Sequence, residues 1–186
     1  MPVAAEIVLA LQSMVTRTVD VFDPAVVTVG HLEAGTTDNV IPDTALLHGT
    51  IRTLSPERRA QVLDAVQRVG SHIAVAHGLT AEFRRIEGYP VTVNDDAVAA
   101  QVTATAATLI GADASRVMRV PLMGAEDFSY VLEQVPGAMA FLGACPPDLD
   151  PGTAPGNHSN LVVFDEDALP VGVAMYAQMA LDALAG

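Results

Sequence analysis

The sequence predicts a mixed α/β fold with two domains, and three observations support it. Apolar residues recur at helical spacing in several long segments, β-prone runs alternate with these segments, and the pattern changes near residues 86–92. With 186 residues, of which 51% are hydrophobic, the chain has enough apolar side chains for packed cores. We therefore predict an α+β domain at residues 1–87 and an α/β domain at residues 88–186.

The first domain is predicted to begin with a helix followed by two strands. Apolar positions over residues 3–19 recur every three or four residues and form one helical stripe. This helix has no side-chain cap at its start, which indicates a chain that begins inside an element, as a fragment would. The β-prone runs 26–33 and 44–53 flank a segment of turn formers, so we expect them to pair antiparallel.

A second helix and a returning strand are predicted to complete this domain. Ser55 is a suitable N-cap and Pro56 a suitable first helical residue; the helix should run to about His77 and end at Gly78. Residues 79–86 alternate well enough to form a strand. The order helix, strand, strand, helix, strand matches a ferredoxin-like βαββαβ unit that lacks its first strand.

The second domain is predicted to alternate helices with strands. Helices are expected over residues 95–109, 126–134 and 165–184, and strands over residues 117–120 and 138–143. Alternating elements of this kind are typical of an α/β layer.

Composition excludes several classes of partner. The formal net charge of −13 argues against nucleic acid, because a phosphate backbone attracts basic surfaces. Cys145 is the only cysteine and cannot form an internal disulfide, which favours a reducing compartment and hence the cytoplasm. No apolar run reaches the roughly 18 residues that a membrane span requires, so we expect no membrane partner.

His158 is the first candidate for chemistry. It stands in a loop of Pro, Gly, Asn and Ser, where a single metal ligand is often presented. The same position suits a solvent-exposed loop histidine, and the residue alone does not decide between the two. A metal site needs three or four ligands, so His158 would need partners. The acidic residues 165–167 are interpreted as complementing the N-terminus of the last helix.

Two further features could bind an anion. Gly124, Ala125 and Glu126 open a predicted helix, where free N–H groups can hold a carboxylate; an ordinary helix N-terminus, whose dipole Glu126 complements, is the simpler explanation. Arg52, one of nine basic residues, could bind an anionic ligand or pair with a neighbouring carboxylate. Asn39 is a normal turn residue.

The remaining histidines and the cysteine suggest no site. His31 and His48 lie on predicted strands, and His72 and His77 are five residues apart, which places them on different faces of one helix. Cys145 lacks a CxxC partner and is interpreted as a small buried or half-buried residue.

Four segments taken together, in order and spacing, resemble one family. They are GTTDNVIPD at residues 35–43, GTIR at residues 49–52, MGAEDFS at residues 123–129, and His158-Ser159 ahead of FDED at residues 164–167. The combination is similar to the metal-dependent amidohydrolase and carboxypeptidase family within the aminoacylase superfamily, which includes hippurate hydrolase, N-acyl-amino-acid amidohydrolases and auxin-conjugate hydrolases. The resemblance covers essentially the whole chain.

This resemblance implies a specific domain organisation. Family members combine an α/β catalytic domain that holds two divalent metals with a smaller lid domain that mediates dimerisation. Residues 1–87 would be most of the lid, incomplete at its N-terminus, and residues 88–186 the C-terminal part of the catalytic domain. The resemblance therefore implies a homodimer that forms through the lid domain.

The resemblance also implies an activity. The complete enzyme would cleave the amide bond of N-acyl amino acids or small peptide-like substrates with a metal-activated water and a carboxylate general base. That base and most of the family's metal ligands have no counterpart in this sequence. We therefore assign no catalytic residue and expect the chain to be a fragment that is inactive as given.

Residue roles follow from the same resemblance. His158 matches the family's last metal ligand, with zinc or manganese as the expected metal of the complete enzyme; many members have Pro where Asn160 stands. One ligand cannot hold a catalytic metal by itself.

The substrate positions match in the same way. Asn39 and Arg52 match lid positions that contact the substrate or its terminal carboxylate, commonly across the dimer interface. Gly124 and Ala125 match the backbone site for that carboxylate, and Glu126 matches a position beside the metal pocket.

A second hypothesis comes from another class of protein. The chain could be a stand-alone dimerisation or regulatory module, which predicts a stable, soluble dimer that binds no zinc. Against it stands the second domain, which would expose an apolar sheet face or edge in such a module.

Overall fold

The computed structural model describes residues 1–185 of the chain, and only Gly186 lies outside the described residues. The chain divides into two compact units. Unit 1 comprises Met1–Val91 and Leu122–Asp127, and unit 2 comprises Thr92–Pro121 and Phe128–Gly186.

Unit 1 contains two helices and an antiparallel hairpin. In chain order its elements are α1 (Pro2–Thr18), β1 (Ala25–Glu33), β2 (Leu46–Thr53) and α2 (Pro56–Ala76). β1 and β2 pair antiparallel, as the sequence predicted. The register shifts between Val29 and His31, so Gly30 forms a β-bulge.

The predicted start and end of α2 are confirmed. The Ser55 side chain accepts a hydrogen bond from the backbone N–H of Arg58 at 3.1 Å, and Pro56 occupies the first turn. Gly78 has a φ of 70°, the left-handed conformation that ends helices at little cost in a residue without Cβ. Local sequence therefore determines both ends of this helix.

The core of unit 1 lies between its helices and one face of the hairpin. Ala25 and Val27 of β1 pack with Val62 of α2, and α1 contributes the buried stripe Ala4, Leu11 and Met14. Partly buried side chains surround this cluster: Val15, Val19, Ile51 and Val66. Burial of each large aliphatic side chain stabilises the unit by about 1.5–3 kcal/mol.

The returning strand predicted for residues 79–86 is wrong. These residues are all exposed and belong to no strand. A strand exists through ladder hydrogen bonds to a neighbour, and the sheet described in unit 1 consists of β1 and β2 only. The β-prone pattern is present, but no neighbouring strand pairs with it.

Unit 2 is built around two long helices. Its elements are α3 (Asp96–Ile110), α4 (Ser129–Leu132) and α5 (Ala168–Ala185). Asp95 caps α3 by accepting a hydrogen bond from the Val98 N–H at 3.0 Å. α3 packs against α5, where the buried Thr105 donates a hydrogen bond to Asp182 at 3.2 Å.

The strands predicted for this region are also wrong. Neither residues 117–120 nor residues 138–143 form a strand, and none occurs elsewhere in residues 92–121 or 128–185. The reason is the same as in unit 1, because no pairing partner is present in the described part of this unit. Of the predicted α/β layer, the described residues therefore contain the helices but not the strands.

Two helix starts differ from the prediction. The helix expected at residues 126–134 is the single turn Ser129–Leu132. The last helix begins at Ala168 rather than at Asp165, because the Asp165 carboxylate accepts a hydrogen bond from the Asp167 N–H and forms a turn there.

One helix, α5, bears on the expectation that the chain has no membrane partner. By length and composition alone, Ala168–Ala185 is long and apolar enough to cross one, with a mean hydropathy of 1.3 over 18 residues; it is the only such helix in residues 1–185. None of its residues is buried.

Candidate functional site

The side chain of Arg52 joins two sequence-predicted binding segments. Its guanidinium Nη1 donates a hydrogen bond to the carbonyl oxygen of Met123 at 2.8 Å. Met123 directly precedes Gly124 and Ala125, and all four residues belong to unit 1. The structure thus brings the predicted cation next to the predicted carboxylate-binding loop, although 71 positions separate Arg52 from Met123 in sequence.

The hairpin determines where Arg52 points. Ile51 and Thr53 on either side of it face the core of unit 1, so Arg52 projects from the opposite face, away from the helices. Gly49 keeps β2 close to β1, because a Cβ at this position would lie 2.5 Å from the carbonyl oxygen of Thr28. The glycine of the GTIR segment therefore holds the strand from which Arg52 projects.

Gly124 and Ala125 do not occupy a helix N-terminus, so that part of the prediction is wrong. The nearest helix begins at Ser129, and residues 121–126 have no regular secondary structure. A Cβ at Gly124 would have only the Glu126 carboxylate oxygen nearby, at 3.8 Å. The glycine therefore leaves an accessible backbone next to the carbonyl that Arg52 binds.

Asn39 lies in the loop between β1 and β2. Its side chain is exposed, and its amide oxygen accepts a hydrogen bond from the Thr37 hydroxyl at 3.3 Å. The same loop forms a cleft of about 420 Å³, lined by Glu33, Ala34, Gly35, Thr36, Thr37, Val40, Pro42, Thr44 and Leu46. The contact of Asn39 stays within this loop, and the hydrogen bond that holds Arg52 does not involve it.

His158 lies in unit 2, whereas the other five predicted binding residues lie in unit 1. It is exposed on a turn in which the Ser159 N–H donates to the Gly156 carbonyl at 2.8 Å. Within residues 1–185, no three or more His, Cys, Asp or Glu side chains come together in a way that could hold a metal ion. A catalytic zinc needs three protein ligands, so the residues present do not form a complete metal site.

Several contacts were not predicted from the sequence. The rings of His31 and His48 lie across from each other on the hairpin, with centroids 5.4 Å apart, and His77 bonds Glu6 at 2.8 Å. Met123 was missed as a contact of Arg52 because it contributes a backbone carbonyl, which no side-chain pattern reveals. Cys145 is half-buried, as predicted.

Comparison of sequences adds a family match. The sequence model described as peptidase family M20/M25/M40 matches residues 6–182. Thermostable carboxypeptidase 2 of Saccharolobus solfataricus is 33% identical over 180 residues, which are 96% of this chain and 44% of that protein. N-acetylcysteine deacetylase of Bacillus subtilis is 34% identical over 182 residues, 97% of this chain and 45% of the relative.

Comparison of structures agrees with the sequence match. The Bacillus subtilis YXEP protein, described as a dinuclear metal binding peptidase from the M20 family, aligns with a TM-score of 0.78 and 30% identity. The alignment covers 99% of this chain and 45% of that one. The chain thus spans less than half the length of the relatives that it matches.

Proposed function

Because the chain belongs to the M20/M25/M40 peptidase family, as its four sequence motifs predicted, we propose that it is part of a metal-dependent amidohydrolase. The substrates are N-acyl amino acids or small peptide-like amides, which are cleaved at the C–N bond. The names of the relatives support this class, since they include a carboxypeptidase and an N-acetylcysteine deacetylase.

The hydrogen bond between Arg52 and Met123 is the main observation that supports the proposal. It joins the cation of the GTIR segment to the backbone of the MGAEDFS segment within one compact unit. N-acyl amino acids end in a carboxylate, and a guanidinium beside an accessible backbone is a suitable site for that group. We call Arg52, Gly124 and Ala125 the carboxylate corner.

The chemistry of Arg52 suits this role. A guanidinium has five N–H donors, and the described bond to Met123 uses one of its nitrogens. The side chain is exposed, so its remaining donors can reach a ligand in the planar, bidentate geometry that carboxylates favour. In a chain with a net charge of −13, an isolated cation also gives an anionic substrate a defined place to bind.

The remaining roles are part of the same proposal. Residues 1–87 are most of a lid domain that forms a homodimer, with Asn39 contacting substrate, and residues 88–186 are the C-terminal part of the catalytic domain. Glu126 lies beside the metal pocket of the complete, cytoplasmic enzyme. The cofactor is a divalent metal, zinc or manganese, to which His158 contributes one ligand. The description of the YXEP protein as a dinuclear metal binding peptidase supports a metal cofactor without specifying which metal.

The incomplete ligand set limits what this chain does alone. Since His158 has no partner ligands among residues 1–185, we derive no catalytic step through a metal. We propose that the isolated chain binds substrate weakly and does not hydrolyse it. The family match runs through both units, which favours part of a hydrolase over a stand-alone dimerisation module.

The carboxylate corner can be tested with a matched pair of ligands. Hippurate carries a terminal carboxylate, and hippuramide replaces it with an uncharged amide. We expect hippurate to shift the NMR signals of the Gly124 and Ala125 amides and hippuramide to leave them unchanged. Arg52→Ala should weaken hippurate binding by about tenfold or more, since a hydrogen bond to a charged group contributes about 1.5–3 kcal/mol.

Two variants act as controls for this titration. Arg52→Lys keeps the positive charge but loses the planar guanidinium that can donate two parallel hydrogen bonds. It should bind hippurate with intermediate affinity. Arg85→Ala removes another exposed arginine, which pairs with Glu87, and should bind like wild type. Equal binding of both ligands, or an unchanged affinity in Arg52→Ala, would show that the corner does not bind the substrate carboxylate.

The activity of the isolated chain is a separate test. Purified chain incubated with hippurate and either zinc or manganese should release no glycine above the rate without protein. Metal-dependent release would contradict the proposal that the chain is not competent alone.

A further inference from the structure

Two histidines face each other across the hairpin of unit 1. In the register of the sheet, His31 of β1 pairs with His48 of β2, and their ring centroids are 5.4 Å apart. Both residues are exposed, and neither ring has a hydrogen bond or an ion pair within residues 1–185. The two imidazoles are therefore available to bind a ligand together.

The β-bulge at Gly30 brings both rings to one face of the hairpin. Before the bulge, side chains of β1 alternate between the two faces, and Val27 is buried on the side of the helices. Continued alternation would place His31 on this buried side as well. The register shift between Val29 and His31 adds one residue to β1, so His31 joins His48 on the outward face.

The distance between the rings suits a single metal ion. Metal–nitrogen bonds to histidine are about 2.0–2.1 Å long, so two imidazoles on one tetrahedral ion have their centroids about 5 Å apart. The observed 5.4 Å is close to this value. The outer torsion of a histidine side chain rotates over a broad range, so exposed rings can turn their nitrogens toward a shared ion without movement of the backbone.

The charges around the pair favour a cation. Glu33 lies two residues from His31 on the same face of β1, and the chain has a net charge of −13. Arg52 shares the outward face of β2, but it lies four residues from His48, about 13 Å along the strand. Because the Debye length is about 8 Å at physiological ionic strength, salt screens the repulsion between this guanidinium and a bound cation.

We propose that His31 and His48 form a binding site for one divalent first-row transition-metal ion, with the two imidazoles as its protein ligands. Imidazole suits copper, nickel and zinc, whereas magnesium and calcium prefer oxygen ligands. Within the described residues, no third His, Cys, Asp or Glu side chain joins the pair as a ligand. Water therefore completes the coordination, and the ion is exchangeable.

A bound ion links the two strands at the base of the loop between β1 and β2. One further pair, Glu33 with Leu46, separates the histidines from this loop, which contains Asn39 and forms the cleft. The unfolded chain does not hold the two histidines opposite each other, so it binds the ion more weakly than the folded hairpin does. Binding therefore stabilises the folded hairpin by linkage.

Metal titration of the untagged 186-residue chain tests this site. We expect calorimetry to detect one Cu²⁺ site per chain, weaker binding of Ni²⁺ and Zn²⁺, and no binding of Mg²⁺. Cu²⁺ is paramagnetic, so amounts below one equivalent should first broaden the NMR signals of residues 30–32 and 47–49. At a free concentration of ten times its Kd, Zn²⁺ should slow hydrogen exchange in the hairpin by about tenfold.

Single variants show whether both rings are required. His31→Thr and His48→Thr each remove one imidazole and keep a β-branched residue that suits an exposed strand. Each should weaken Cu²⁺ binding by about a hundredfold, because the second imidazole otherwise binds as an intramolecular ligand. The matched control, His72→Ala, removes another exposed histidine of unit 1 and should bind like wild type. The NMR titration uses the wild-type chain, so the test holds even where a variant fails to fold.

Three results would overturn the metal site. They are the absence of Cu²⁺ binding by the wild-type chain, equal affinity in the single variants and the wild type, and signal broadening that begins at His72, His77 or His158. In each case the two rings would be a packing contact across the strands only. None of these measurements involves hippurate, so failure of the metal site and failure of the carboxylate corner are distinguishable.

Discussion

The two units differ in how they bury apolar side chains. Among the described residues, the buried apolar side chains all lie in unit 1, in α1, the hairpin and α2. The buried residues of unit 2 are Thr105 and Ser129, both polar. α5 is nevertheless apolar enough to meet the criterion for a membrane span. Composition therefore does not decide which unit has a core.

This difference between the units indicates that a hydrophobic core requires two complementary layers. In unit 1, α1 and α2 cover one face of a hydrogen-bonded hairpin, and Val62 fills the space between them. In unit 2, α3 and α5 cover each other, but the described residues contain no strand layer for their other faces. A helix or sheet is stable when its apolar face meets another element.

Hydrogen exchange should show the largest contrast between the units. Thr28 and Thr50 pair in the hairpin, where the Thr28 carbonyl oxygen faces β2, whereas residues 138–143 are in no ladder. We expect the hairpin amides to exchange at least about a thousandfold more slowly in the isolated chain. Similar rates in both segments would mean that the two units are equally well packed.

A matched pair of valines tests the contrast in stability. Val62 is 2% exposed and Val173 is 69% exposed. Val62→Ala should lower the free energy of unfolding in urea by about 2 kcal/mol, because it removes buried methyl groups and leaves a cavity. Val173→Ala should change it by less than about 0.5 kcal/mol. A comparable loss in both variants would contradict the exposed position of Val173.

A pair of glycines in the hairpin should have a smaller effect. Gly49→Ala brings a methyl group against the Thr28 carbonyl oxygen, so we expect a loss of about 1–2 kcal/mol in urea unfolding and a displaced Arg52. Gly30→Ala, on the facing strand, meets no atom within 4 Å and should change stability by less than about 1 kcal/mol. Equal effects would mean that close approach of the strands does not constrain Gly49.

Removal of a helix cap should have the smallest effect on the free energy of unfolding. Ser55→Ala and Asp95→Ala each remove one N-cap hydrogen bond and should each cost about 1 kcal/mol. The loss in Ser55→Ala should appear in the cooperative unfolding of unit 1. For Asp95→Ala, faster hydrogen exchange confined to α3 is the expected readout. If Asp95→Ala lowers the free energy of unfolding of unit 1 as much as Ser55→Ala does, the two units do not unfold separately.

Prediction from sequence succeeded where a few neighbouring residues determine the structure. Ser55 and Gly78 mark the ends of α2, and the segments around Arg52 and His158 identified the family. It failed for residues 79–86 and 138–143, whose composition favours strands. Helix hydrogen bonds form within one segment, whereas strand hydrogen bonds need a second segment that the pattern does not contain.

The same distinction between local sequence and long-range contacts applies to the candidate site. The motifs nominated Arg52, Gly124 and Ala125 one by one, without indicating which residues would meet. The contact between Arg52 and Met123 became visible only in the folded chain, because it joins a side chain to a backbone carbonyl 71 residues away. The expected helix at Gly124 was wrong, since residues 121–126 have no regular secondary structure and the nearest helix begins at Ser129.

The amino-acid sequence by itself determined the family, the long helices, the Ser55 cap of α2 and the identity of the candidate binding residues, because these follow from local spacing and side-chain chemistry. Only the tertiary structure decided which strands pair, that Arg52 bonds the Met123 carbonyl, and that Thr105 of α3 bonds Asp182 of α5. Those features depend on contacts between distant segments, and such contacts form only where a complementary surface is present.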